Sequence, residues 1–157
     1  MASPVPAVGT AAPDFTLDTT AGTPVSLSSF RGQQHVLLAF FPLAFTSTCT
    51  AELCAFGEDY AQFTGKGVAV IPLSVDAVPS LREYKAKYQM PVELASDFRR
   101  VASRAYGVLN EERYFSNRSY FLIDKQGIIR WSHVEGKNGE RRDNAELLAE
   151  IGKLAQG

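Results

Sequence analysis

Two cysteines are the only thiols in 157 residues, and the first, Cys49, stands seven residues after Pro42 and three after Thr46 in the stretch FPLAFTSTC. Thr46 or Ser47 suits a helix N-cap, which puts Cys49 in the first turn, where unpaired N–H groups and the macrodipole favour an anion. A thiol so placed ionises more readily, and the thiolate is the nucleophile. The Thr46 hydroxyl, one turn earlier, can donate to that sulfur and accept from a substrate hydroxyl, while Pro42 rigidly ends the preceding strand. Such a place suits a peroxide. Sulfur attacks the distal oxygen in line, and the leaving oxygen gathers negative charge that prearranged donors must meet.

The same cysteine has a plainer reading. At about 100° per residue it lies at the centre of the stripe made by Leu53, Phe56, Tyr60 and Phe63, so it faces inward, either at the bottom of a pocket or as an inert core thiol. Cys54 follows five residues later, a spacing unlike the Cys-x-x-Cys of a dithiol oxidoreductase. Pairing both cysteines with His35 and His133 as a zinc site is disfavoured, since Cys-x4-Cys on a helix puts the sulfurs on different faces and the histidines fall in strand regions. A non-enzymatic binding or holdase protein that uses Cys49 only as a sensor is a further alternative.

The elements that would position these residues follow from periodicity. Asp14–Ser29 alternates apolar and polar residues around Thr-Ala-Gly and reads as a hairpin. Val36–Phe41 is a continuous apolar run, a strand covered on both faces, which Pro42 ends because proline cannot donate to a central ladder. Apolar spacing predicts a helix from Ser47 to Phe63, closed by Gly65–Gly67. Val68–Val75 is a second buried strand, parallel to the first because a helix joins them. Leu81–Met90 reads as a helix stopped before Pro91, and Asp97–Gly107 as a short helix with an Asp start and a Gly stop. SYFLIDKQGIIRWSH is a hairpin around Asp124–Gly127, and Asn144–Ala155 a final helix with Leu147, Leu148, Ile151 and Leu154 on one face. The order implies an α/β fold of thioredoxin-like kind, with an N-terminal β-hairpin and a central mixed sheet flanked by helices.

Composition bounds the rest. A chain that is 45% hydrophobic suits one compact domain over residues 1–157. Lys and Arg number 16 against 17 Asp and Glu, a formal charge of -1 without like-charge blocks, which excludes a nucleic-acid partner and favours a small, uncharged substrate. No apolar run reaches membrane-spanning length, and MASPVPAVG lacks the pattern of a signal peptide, so a cytoplasmic protein is expected. Two cysteines there fit a redox role better than a structural staple.

Pro42, Thr46 and Cys49 match Pro-x-x-x-Thr/Ser-x-x-Cys, and the chain resembles the peroxiredoxins, thiol peroxidases with a thioredoxin-like fold. APDFTL, VLLAFFPLAFT and NRSYFLIDKQGIIR resemble family segments in their usual order, so the likeness covers nearly the whole chain. It implies that Arg118 of NRSYF approaches the thiolate and that Glu52 holds the arginine network; read alone, Arg118 is a solvated edge charge and Glu52 a helix-dipole partner. Tyr120, Phe40, Phe41 and Phe45 either line the pocket mouth or pack the core. FPLAFT is similar to the alkyl hydroperoxide reductase E type, which commonly works with one cysteine, and CTAELC to the bacterioferritin-comigratory type, which often resolves its sulfenic acid with the later one. Cys54 is therefore the expected resolving residue, with an external thiol as the alternative. The resemblance implies hydrogen peroxide or organic hydroperoxides as substrates and thioredoxin or a similar dithiol as reductant; no metal, flavin or nucleotide motif appears, so no cofactor or metal is expected, and the chain is expected to be a monomer or homodimer. Five residues of helix separate the Cα atoms by about 8.6 Å and turn them about 140° apart. That exceeds the roughly 4.4–6.8 Å a disulfide accepts, so the first turns must unwind before the bond closes.

Overall fold

A computed structural model describes residues 4–137 and 139–154. The N-terminal hairpin forms as its alternation requires: β1 (Thr16–Thr19) pairs antiparallel with β2 (Val25–Ser26), and the turn between them passes through Gly22 at φ +87. A short 3-10 turn, Leu27–Phe30, leads to β3 (His35–Phe40), whose Val36–Phe40 are all buried. Strand β4 (Val68–Ser74) runs parallel to β3, as expected of a βαβ crossover.

The crossover is two helices rather than the one expected. Helix α1 (Ser47–Glu58) ends at Asp59 and α2 (Tyr60–Gly65) follows. The Ala55 carbonyl accepts from its helical partner Asp59 N at 3.2 Å and also from Asn144 Nδ2 at 2.8 Å. A side chain inserted into the ladder in this way bends a helix. Helix α3 (Val78–Tyr88) starts before Leu81, with Pro79 in its first turn, and ends two residues short of Met90 because Gln89 turns left-handed at φ 51.

The stretch expected to be helical from Asp97 is a turn followed by α4 (Val101–Ala105). Asp97 still caps the helix, accepting from Ala102 N and Ser103 N at 2.9 and 2.7 Å, but Arg100 at φ 59 loops the chain out in between. Strands too short to carry a pattern complete the frame. They are β5 (Ala95–Ser96), between β1 and β4, and the separate pair β6 (Leu109–Asn110) and β7 (Phe115–Ser116). The hairpin β8 (Ser119–Ile123) and β9 (Ile129–Val134) is antiparallel as expected, and α5 covers Asn144–Leu154. The expected helix end at Ala155 and the first three residues of MASPVPAVG lie outside the described residues.

The seven strands order as β2-β1-β5-β4-β3-β8-β9, a mixed sheet in the thioredoxin-like arrangement with helices against it. Alternation along β3 splits the core. Leu37, Ala39 and Phe41 pack with α1, α2, α3 and α5, while Val36, Leu38 and Phe40 pack with Phe15, Tyr106 and Phe121 on the other face. Among the described residues no helix is long and apolar enough to cross a membrane.

Candidate active site

The site begins where β3 gives out. Phe41 N still bonds Leu73 O at 2.9 Å, and buried Pro42 then turns the chain off the sheet. Asp76, just past β4, fastens the loop by accepting from Ala44 N at 2.8 Å and from Ser74 Oγ at 2.6 Å. Phe45 is left-handed at φ 65 and half exposed. Thr46 is the N-cap residue of α1 with an extended backbone, but its hydroxyl does not cap. It donates to Leu43 O at 2.7 Å, so in this state it offers lone pairs rather than the proton expected to face sulfur.

Cys49 occupies the first turn and is 1% exposed, within the apolar cluster that includes Leu53, Phe56 and Phe63. The stripe reading of α1 thus holds, with Tyr60 packed at its edge. A merely apolar burial does not. Arg118, immediately before β8 and itself 1% exposed, directs Nη2 to Cys49 Sγ at 2.9 Å and Nη1 to Glu52 Oε1 at 2.8 Å. Arg118 is therefore no edge charge, and Glu52, also 1% exposed, is no surface partner of the helix dipole. The backbone reason lies in two hydrogen bonds just beyond the strand ends: Glu135 N to Arg118 O at 2.9 Å, and Asn117 N to Val108 O at 2.8 Å, which flanks the β6–β7 pair.

Tyr120 completes the cluster by donating its hydroxyl to Glu52 Oε2, and accepts in turn from Arg142 N at 3.1 Å. Burial raises the Glu52 pKa, against the opposing pull of Arg118 and Tyr120. Burial also works against the Arg118 charge, but Glu52 and Cys49 outweigh it and raise the pKa of the guanidinium. The directions are compatible because one guanidinium serves two acids. Arg118 stays charged, and neither acid has that charge to itself. The Tyr120 pKa rises too, through burial and then the nearby carboxylate, so its hydroxyl remains a proton donor.

Of the aromatic residues named from sequence, Phe41 and Tyr120 share the cluster with Cys49, Phe45 packs tilted against Tyr84 of α3 with centroids 4.7 Å apart, and Phe40 lies on the opposite face of the sheet. Cys54 is half-buried on α1, beside a groove of about 490 Å³ lined by Gly57, Tyr88, Met90 and Pro91. Both thiols are free. Asp76, Tyr84 and Arg142 escaped sequence reading. Only Asp76 carried a signal, as a carboxylate directly after a buried strand, where a parallel sheet opens its crevice.

A charged guanidinium beside a buried first-turn thiol can hold a thiolate and meet an oxyanion next to it. A family model described as the AhpC/TSA family matches residues 8–132. The chain is 38% identical over 138 residues to alkyl hydroperoxide reductase E of Mycobacterium tuberculosis, covering 87% of this chain and 90% of that protein. It is 37% identical over 128 residues to a bcp peroxiredoxin of Coxiella burnetii, covering 78% and 84%. Among solved structures, the reduced 2-Cys peroxiredoxin of Plasmodium vivax superposes with a TM-score of 0.88 at 29% identity, covering 95% of this chain and 82% of that one.

Proposed function

Because the chain belongs to the AhpC/TSA family and is a thiol-dependent peroxidase, we propose that Cys49 is its peroxidatic nucleophile, with hydrogen peroxide and organic hydroperoxides as substrates. The observation that carries this reading is the 2.9 Å approach of the buried Arg118 guanidinium to Cys49 Sγ. The Cys49 thiolate attacks the distal peroxide oxygen, an S–O bond forms as the O–O bond breaks, and the remaining alkoxide or hydroxide takes a proton. Cys49 is left as a sulfenic acid. Arg118 holds the thiolate and then meets the charge on the departing oxygen, Glu52 and Tyr120 orient Arg118, Thr46 accepts from the peroxide hydroxyl, and Pro42 keeps the loop fixed around them.

Cys54 resolves the sulfenic acid in this scheme. Its thiol attacks Cys49 sulfur, the S–S bond replaces the S–O bond, and the oxygen leaves as water with the Cys54 proton. Thioredoxin or a similar dithiol then returns both cysteines to thiols and is itself oxidised by two electrons. The helical geometry between the two residues favours a second reading, in which an external thiol attacks Cys49 directly and Cys54 is a bystander. We read residues 1–157 as one such domain, working in the cytoplasm as a monomer or homodimer without a cofactor.

The test is peroxide consumption coupled to thioredoxin and its reductase. Wild type turns over, Cys49→Ser does not, and Cys54→Ser stops after one equivalent with a sulfenic acid at Cys49. A Cys49→Ser protein as fast as wild type would overturn the assignment of the nucleophile. A Cys54→Ser protein as fast as wild type would leave Cys49 in place and select the external-thiol route.

A further inference from the structure

Cys49 must leave its pocket if it is to meet Cys54, and the two halves of α1 are held in different ways. The C-terminal half is fastened at its end by Asn144 and Pro91. Ala55 O and Asp59 Oδ2 each accept from Asn144 Nδ2 at 2.8 Å, and Gly57 lies so close under Pro91 that a Cβ there would stand 3.1 Å from Pro91 Cδ. The half bearing Cys54 is therefore anchored on two sides.

The first turn is held by side chains. One set of ties runs through Arg118, which reaches Cys49 sulfur and Glu52, the latter also bonded by Tyr120, and it belongs to the site already described. The other is made by Thr50, the neighbour of Cys49, whose Oγ1 lies 2.9 Å from the hydroxyl of Tyr84 on α3. Tyr84 is fully buried and fixed by ring contacts with Phe41, Phe45 and Tyr88 at 6.4, 4.7 and 5.6 Å. Burial pushes its pKa up to about 12, so the hydroxyl stays neutral wherever the enzyme works. Nothing in the peroxide chemistry uses this pair.

We propose that Tyr84 is a positioning residue: through Thr50 it helps hold the first turn of α1 closed while Cys49 reacts, and release of that hydrogen bond is one of the steps that limit how fast the sulfenic acid reaches Cys54. This rests on the reading of Cys54 as the resolving cysteine. The step it governs is the condensation of Cys49–SOH with Cys54–SH to a disulfide and water. The competing fate is attack of the retained sulfenate on a second peroxide, which adds one oxygen to give the sulfinate and leaves water or an alcohol. A firmer hold therefore means more sulfinate at a given peroxide concentration, and a looser one means less.

Quenched-flow mass spectrometry separates the steps, since sulfenate, disulfide and sulfinate differ in mass. Tyr84→Phe keeps the ring and loses the hydroxyl; Thr50→Val keeps the shape and loses the partner. Each is expected to close the disulfide roughly fivefold faster, the factor carried by one net neutral hydrogen bond, and to lower the sulfinate fraction in excess peroxide. The double variant closes no faster than either single one, because both remove the same bond. Ile123→Val, on the opposite face of the sheet, serves as the control for general destabilisation and closes at the wild-type rate. Closing rates in Tyr84→Phe and Thr50→Val equal to wild type, or matched by Ile123→Val, would overturn the proposal. Failure of wild type to form any Cys49–Cys54 disulfide would instead overturn the resolving role and, with it, the control of closing by Tyr84. Amide exchange over residues 47–53 of the reduced protein then decides the remaining half: faster exchange in Tyr84→Phe upholds the hold on the first turn, and unchanged exchange removes it.

Discussion

The two faces of the sheet are equally dry but differ in what they bury. One face packs Phe15, Phe40, Tyr106 and Phe121, with ring centroids as close as 4.9 Å, and the Tyr106 hydroxyl is satisfied by the backbone at Pro13 O. The other face buries Cys49, Arg118, Glu52 and Tyr120, whose polar side chains bond to one another. A hydroxyl bonded to backbone is a local matter, settled by one partner that cannot move. Charged groups that satisfy each other form a network in which every member sets the state of the next, and there a thiol can acquire chemistry.

Substitutions on the two faces should therefore divide cleanly between activity and stability. The largest effect is Cys49→Ser, which abolishes peroxide consumption while the melting temperature stays near that of wild type; the coupled assay and a thermal melt read both. Its counterpart, Phe121→Ala, should cost about 3–5 kcal/mol of unfolding free energy in urea, yet leave the oxidation rate of the folded fraction near wild type. A large loss of rate in that variant would break the division between the faces. Arg118→Ala is expected to slow Cys49 oxidation by about 10²–10³, measured as a second-order rate with hydrogen peroxide under single turnover. An unchanged rate would mean that the guanidinium only fills space.

The smallest effect belongs to the turn that joins β8 to β9, outside both faces. Burial works against the Asp124 carboxylate, but the amides of Ile128 and Gln126 and the Arg130 side chain outweigh it and hold its pKa below the usual range. A depressed carboxylate stabilises the fold above its unfolded pKa, and that stability is lost as the pH falls through the lower folded value. Asp124→Asn should thus cost roughly 1 kcal/mol at neutral pH and progressively less below about pH 4, followed by urea melts at both values. Activity at neutral pH should be untouched.

Much of the frame was legible because it rests on local patterns. The buried runs of β3 and β4, the stripe on α1 and the β8–β9 hairpin each carry a period that burial imposes. The misreadings have tertiary causes. Asn144 breaks the helix after Glu58 from 85 residues away in sequence, and Arg100 loops out because Asp97 finds its amides further along. Strands β5, β6 and β7 are two residues each and exist only because neighbouring strands receive them.

The sequence by itself determined where the first thiol stands, in the opening turn of a helix. Pro42, Thr46 and Cys49 lie within eight residues of one another, and the end of a strand and the start of a helix place them by rules that act over a few residues. It also determined which face of α1 would be buried, since that follows from a period of 3.6. Apart from the family resemblance, which pointed to Arg118 and Glu52, only the tertiary structure decided what meets the sulfur there. Arg118 lies 69 residues from Cys49, Glu52 lies 68 from Tyr120, and Thr50 lies 34 from Tyr84. Their meeting depends on strand order and register, in which Ala39 faces Tyr120 across β3 and β8, and no local period records which strand will lie beside which.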